Sequence, residues 1–308
     1  AITLPGDTNM QPDLVWIKNR SATDSYCVFD SVRGATELLS SDTAAAEATD
    51  ADTLDSFASD GFQVDADVKV NTDGESYVAW CWKESATAGF DIVSYAGTGS
   101  AKTESHSLSA VPKLIIVKNR SANDAWQVYH GANTAAPETD YLVLNTTAAT
   151  ADAADRWNDT APTSSVFSLG DGDEVNTNTE NYIAYCFAEK QGFSKFGKFS
   201  GSGDANGPFI YLGFRPAFVL WKNAEYLENW HLIDNKRSTF NLAKNGLTPN
   251  ANYAASDDAN IQMDFLSNGI KIRSASHATS NVSGNDDVFI AFAEAPFVNS
   301  KGVPCNAR

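Results

Sequence analysis

Three lysine–asparagine pairs carry groups that could react with one another: Lys18-Asn19, Lys118-Asn119 and Lys222-Asn223. Each pair is followed much later by a glutamate in a matching sequence, at Glu84, Glu189 and Glu294. An amine, a carboxamide and a neighbouring carboxylate are the groups that an isopeptide bond between lysine and asparagine requires. The plainer expectation is a Lys–Glu ion pair, with the asparagine side chain bonded to the backbone where a strand ends. Trp157, Asn158 and Asp159 form a second candidate, within R-W-N-D-T from Arg156. A tryptophan beside an amide and a carboxylate in a polar loop can stack on a sugar ring and bond its hydroxyls. Asp171 and Asp173, in D-G-D-E-V-N, form a third. Their carboxylates could take calcium, although the run lacks the bidentate glutamate that closes a calcium loop. The sequence has no G-x-S-x-G, H-E-x-x-H or P-loop, and His106, His130, His231 and His277 do not cluster. The expectation is a protein that is not an enzyme, with no cofactor beyond that calcium.

The elements that position these groups are written three times. P-D-L-V-W-I-K-N-R begins at Pro12, P-K-L-I-I-V-K-N-R at Pro112 and P-A-F-V-L-W-K-N-A at Pro216. A large aromatic stands fourteen residues after each proline (Tyr26, Trp126, Trp230), and four residues on come Asp30, His130 and Asp234. Each unit closes on a second signature: Y-V-A-W-C-W-K-E from Tyr77, Y-I-A-Y-C-F-A-E from Tyr182 and V-F-I-A-F-A-E from Val288. A period near one hundred residues is too long for a solenoid and suits three tandem domains. The expected boundaries are 1–111, 112–215 and 216–308.

Short runs of β-branched and aromatic residues, separated by Gly, Asn and Asp turns, predict strands throughout. The fold class expected is all-β, three β-sandwich units of jelly-roll type. The opening run L-V-W-I-K is apolar on both faces, so it should be covered on both sides. Residues 43–52 are alanine-rich and could form one or two helical turns. Matched aromatics, such as Trp16 with Trp221 and Trp80 with Tyr185, should be core. Asp30 with Arg33, and Asp234 with Arg237, should form structural ion pairs. Cys81 and Cys186 occupy matching places in different units, which suits buried, unpaired thiols.

The chain has 308 residues, 43% of them hydrophobic, which is ample for a core without disulfides. Its formal net charge of -17 repels phosphate, so no nucleic-acid partner is expected. No apolar run is long enough to span a bilayer, so no membrane insertion is expected. The chain opens on Ala1 without a methionine, which points to a processed or truncated chain.

The signatures at Pro12–Ser21, Phe29–Gly34, Tyr77–Lys83, Arg156–Thr160 and Ala291–Phe297 resemble a repeat domain of tail-fibre-like and virion structural proteins of marine bacteriophages. The resemblance spans essentially the whole chain. It implies a place on the virion surface and supplies no catalytic residue. Unit three departs from the pattern: Ala224 replaces the arginine, its closing signature lacks cysteine, and no G-F strand follows it. That makes it a terminal cap. The first expectation for function is therefore a fibre or appendage contacting the host surface. A decoration or filament subunit assembled by strand addition is the second, because residues 2–10 precede unit one where the other units have an incoming strand. A lectin-like module is the third. The partners expected are copies of itself, other virion proteins and a host surface glycan.

Overall fold

The computed structural model describes every residue except Asp7, Thr8, Ser276, Pro296, 299–303 and 306–308, and only the backbone at 297, 298, 304 and 305. Strands take 42% of the residues and helices 5%, so the protein is mostly β. Every ladder between named strands is antiparallel. The opening strands Leu14–Asn19, Leu114–Asn119 and Pro216–Asn223 are buried almost end to end, as their two apolar faces require. Each lies between a hairpin partner and a closing strand. The closing strands are Tyr77–Trp82, Asn181–Phe187 and Asp286–Ala293.

Each unit is two-layered. A large sheet packs one face on a small sheet of two or three strands, with an apolar layer between them. In unit two the large sheet runs as a meander from Leu114–Asn119 through Gln127–His130 and Asp140–Val143 to Ala151–Asp152. A jelly roll would alternate strands between two sheets of similar size. That pattern is not found among the described residues. Residues 43–52 form a turn, an extended stretch and the strand Ala48–Thr49, not a helix. Threonine and aspartate at four of the ten positions weaken the helical tendency of the alanines.

Hydrogen bonding moves the unit boundaries upstream. Phe90–Ala96 pairs along its length with Asn181–Phe187, and Ser194–Ser200 with Asp286–Ala293. These two incoming strands belong to the units that follow them. Boundaries at 111 and 215 cut through units two and three; the sheets divide before Phe90 and before Ser194. Among the described residues the first unit has no such strand. Its N-terminal residues Ile2–Thr3 pair with Gly61–Val64 of the small sheet. Gly61 has a φ of +131°, and a Cβ there would lie 2.0 Å from the Ile2 carbonyl oxygen, so this crossing depends on glycine. Whether a strand follows unit three lies largely outside the described residues; Phe297–Val298 and Pro304–Cys305 pair with each other.

The units are not beads on a string. The second face of all three large sheets meets in one shared core, which takes Trp16 and Trp80 from unit one, Trp126 and Tyr185 from unit two, and Trp230 and Phe292 from unit three. Trp82, Phe187 and Phe292 form a ring of three mutual contacts, with centroids 5.7–6.4 Å apart. The backbone closes the same ring. Glu47 N–H donates to Arg120 O (3.0 Å), Thr150 N–H to Ala224 O (2.8 Å) and Ala255 N–H to Arg20 O (3.0 Å). Each acceptor stands eight residues after its unit's proline. Unit one bonds to two, two to three and three to one, which is a pseudo-threefold ring. Trp16 and Trp221 are not counterparts: Trp16 faces the shared core, whereas Trp221 faces the inner layer of its own unit.

Candidate functional site

The three lysines are fully buried at the exits of the opening strands. Lys18 Nζ donates to the carbonyls of Asn19 (2.6 Å) and Ala22 (3.0 Å). Lys118 Nζ donates to Asn119, Ala122 and, across the ring, Ala44 of unit one. Lys222 Nζ donates to Tyr226, Glu228 and Thr147 of unit two. Burial lowers the Lys118 and Lys222 ammonium groups to about 8, and lowers Lys18 as well. The neighbouring asparagines tie the same corner from their own side. Asn19 Oδ1 accepts from the backbone of Ser21 and Ala22, and Asn119 Oδ1 from Ser121 and Ala122. Their Nδ2 groups donate to carboxylates, Asp24 and Glu75 in one unit and Asp124 and Glu180 in the next.

The expected Lys–Glu pairs do not form. Lys18 sits level with Val78, whereas Glu84 lies beyond Trp82, which is level with Leu14. The two groups are thus separated along the strand by roughly 13 Å or more. The isopeptide link fails for a related reason: adjacent strand side chains point to opposite faces, and each lysine is already held by carbonyl oxygens. The glutamates find other partners. Glu189 pairs with Lys195 (3.6 Å) and Glu294 with Arg215 (2.9 Å). Glu84 is raised to about 7, by burial first and then by Asp91, which accepts a hydrogen bond from the protonated Glu84 carboxyl and repels its carboxylate.

Trp157 is 2% exposed and packs edge-on against Tyr129 inside unit two, so it cannot stack on a sugar from solvent. It ends the one-turn helix Ala154–Trp157, and only Asn158 and Asp159 reach the surface. Asn158 caps that helix with a φ of +53°, a left-handed conformation that asparagine tolerates. Asp171 and Asp173 flank Gly172 at the start of the helix Asp173–Asn176. Among the described residues no three His, Cys, Asp or Glu side chains come together to hold a metal ion.

The Asp–Arg pairs are buried where the units meet. Asp30 Oδ2 accepts from Arg33 Nε (2.5 Å) and from the Tyr185 hydroxyl of unit two (2.7 Å). Asp234 Oδ2 accepts from Arg237 Nε (2.6 Å) and from Trp80 Nε1 of unit one (3.3 Å). At the third junction the closing strand carries Ile290, which cannot donate. There His130 replaces the aspartate, and its Nε2 lies 3.1 Å from the Phe289 carbonyl oxygen of unit three. Its Nδ1 accepts from Ala132 N–H, so Nε2 carries the proton.

The first unit differs from the others at one edge. Among the described residues its large sheet ends at Tyr77–Trp82, with no strand on the outer side. In units two and three that side is covered by Phe90–Ala96 and Ser194–Ser200. Arg20 N–H donates to Ser76 O on the inner side of the closing strand. By the alternation of antiparallel pairing, the N–H and C=O groups of Tyr77, Ala79 and Cys81 therefore point outward. Their counterparts Tyr182, Ala184 and Cys186 are fully buried, whereas these three are half-buried. Beside the edge lies a cavity of about 240 Å³ lined by Ile17, Phe62, Val64, Val70, Tyr77 and Ala79 together with residues 2–5.

The sequence profile of a domain of unknown function, DUF7483, matches residues 4–296. The chain belongs to this family. No curated protein and no solved structure matches it. One DUF7483 profile spans all three units, in keeping with a single closed body.

Sequence reasoning missed three parts of this DUF7483 domain. The carboxylates around Asn19 and Asn119 carried a signal, because Asp24 and Asp124 share an offset from the opening proline, and Glu75 and Glu180 from the closing tyrosine. Glu47 carried none. Burial works against its carboxylate, yet hydrogen bonds from Arg120 and Arg33 hold its pKa below the ordinary value. His130 could have been found as the one departure among Asp30, His130 and Asp234.

Burial lowers His130 from its ordinary 6.5 to about 4. It is a base whose pKa falls on folding. Between those values the unfolded chain takes a proton that the native state refuses, so stability falls as pH falls through this window. His130→Gln keeps a donor for the Phe289 carbonyl and removes the titration. Urea unfolding of the wild type should lose about 2 kcal/mol more than the variant between about pH 7 and 4.5. Equal losses would contradict the neutral, buried histidine.

Proposed function

We propose that this chain is a non-enzymatic structural protein of a bacteriophage particle surface. The observation that carries this proposal is the closed ring of three repeats around one shared core, a rigid body that suits a building unit of a particle. The use of the repeated polar residues supports the same proposal. Among the described residues the three lysines, the Asn19 and Asn119 side chains and the Asp–Arg pairs are spent on internal bonds. The phage resemblance supplies the virion setting, and copies of the chain and other virion proteins are the partners.

Contact with a host surface is a second role for the same particle protein. Unit three presents Leu227 (77% exposed), Phe240 (84%) and Tyr253 (57%) on its loops, and apolar side chains so open to water suit a binding face. With Trp157 buried, a search for glycan binding begins at these loops.

Native mass measured over a range of protein and salt concentrations tests the assembly. The expected result is growth beyond the monomer with rising concentration. Added salt should favour it, because copies of a chain with net charge -17 repel each other. A monomer under all conditions would contradict the proposal.

A further inference from the structure

We infer that the outward face of unit three's small sheet binds a neutral polysaccharide, with Phe209 and Tyr211 as its stacking platform. This inference rests on the second role proposed above, contact with a host surface, and gives that contact a place and a ligand class. The strand Phe209–Tyr211 is the edge of a three-stranded sheet. It pairs with Gly269–Ile272, which pairs in turn with Met263–Leu266. Ile210, Ile270 and Phe265 stand level across the three strands and enter the unit's inner apolar layer. Alternation therefore turns Phe209 and Tyr211 away from that layer, and they are 46% and 56% exposed. The repeat supplies an internal control. Phe62, Phe167 and Ile270 hold the same inward place in the three small sheets. The residue before each pairs with Thr3 in unit one, Ser105 in unit two and Tyr211 in unit three. The residue after Phe167 pairs with Thr103, and the residue after Ile270 with Phe209. The fold thus accepts short hydroxyl side chains at both places, and unit three alone sets rings there.

Phe209 is seated on the sheet. A Cβ at Gly269 would lie 2.9 Å from a carbon of its ring, so glycine lets the ring rest against the backbone. A spacing of two residues sets the two aromatics about 7 Å apart along the strand, within reach of one extended polymer. Level with Phe209 stand Lys271 and then Asp264, whose Oδ2 accepts from Arg273 Nε (2.6 Å). The exposed Phe240 loop borders the same sheet, because Asn241 bonds to the Phe265 backbone through both ends of its amide. Aromatic faces bordered by charged hydrogen-bonding groups are the complement of a sugar chain, whose rings carry apolar C–H faces and a rim of hydroxyls. Charge selects the neutral polymer. A net charge of -17 repels both a phosphate polymer and a second copy of the chain, whereas a neutral polysaccharide meets neither penalty.

The test is affinity electrophoresis of the full chain through native gels that hold dextran, a galactan or a mannan, one polymer at a time, against a polymer-free gel. The expected result is retardation by at least one of the three polymers. Phe209→Thr with Tyr211→Ser gives unit three the residues of unit two, and should raise the polymer concentration needed for retardation by at least about tenfold. Tyr211→Phe should keep most of the retardation and Tyr211→Leu should lose much of it, because stacking needs a ring. If the double variant does not fold, the two Tyr211 variants still decide. Three results would overturn the inference: no retardation in any gel, equal retardation of the wild type and a folded double variant, or equal retardation of Tyr211→Leu and Tyr211→Phe. A double variant that alters the native mass and leaves retardation unchanged would make this face an interface between copies, and would overturn the inference as well. Retardation of a chain that never self-assembles would keep this site and end the proposal of self-assembly. Growth with concentration and no retardation would keep assembly and overturn this site.

Discussion

Phe292→Ala should destabilise the whole chain, not only its third unit. The ring touches Trp82 of unit one, Phe187 and Phe196, and Phe218 of its own unit, at centroid distances of 5.7–5.9 Å. Removing a buried phenylalanine costs about 3–5 kcal/mol through lost transfer energy and the cavity left behind. The shared core already holds a small apolar void of about 50 Å³ bordered by Phe292, Trp82 and Phe187, and the substitution would enlarge it. In denaturant, probes in all three closing strands should shift together by the same amount. A shift confined to unit three would mean that the units fold independently.

Arg33→Met should be nearly as severe, for an electrostatic reason. The Arg33 side chain is fully buried and serves five groups at once: the Asp30 and Glu47 carboxylates, the Val28 and Glu37 carbonyls and the Tyr185 hydroxyl. The methionine leaves the Asp30 charge inside the protein with the Tyr185 hydroxyl and two backbone N–H groups as its remaining donors. Breaking one side of a buried ion pair costs about 3–5 kcal/mol, most of it from the stranded partner. The double variant Asp30→Leu with Arg33→Met should therefore recover part of the loss. Urea unfolding of the two singles and the double measures this coupling. Strictly additive losses would show that the pair is not coupled.

Much of the fold was legible because the repeat is phased by residues with fixed structural jobs. Each proline opens a strand, each fourteenth residue is a core aromatic, and the Asp–Arg spacing of three lets one side chain fold back on the other. The ring closure was harder to see. An ordinary sandwich strand needs one apolar face, and Leu14–Asn19 has two. The second face was a sign of another sheet, but it did not say that three such faces meet in one core. The unit boundaries were misplaced because the repeat is phased on proline, whereas hydrogen bonding begins with the strand 22 residues earlier.

The candidate site was less legible. Lysine and glutamate suggested each other by charge, yet the lysine partners are carbonyl oxygens, which belong to every residue and leave no trace in sequence. Trp157 stands among polar neighbours, but on a single helical turn successive side chains point in different directions. Its ring goes inward while Asn158 and Asp159 stay in water. The open edge was foreshadowed by the unequal termini of the repeat. Its place on Tyr77–Trp82 required the pairing of the other two units.

The central claim is that the repeat builds one cooperative body whose first unit leaves an edge uncovered. A calorimetric scan of the intact chain at a concentration low enough to limit assembly tests its foundation. The prediction is one transition in which the calorimetric and van't Hoff enthalpies agree, because no unit keeps its core without the other two. Two or three resolved transitions, or a calorimetric enthalpy well above the van't Hoff value, would contradict the shared core. The three units would then be tandem domains.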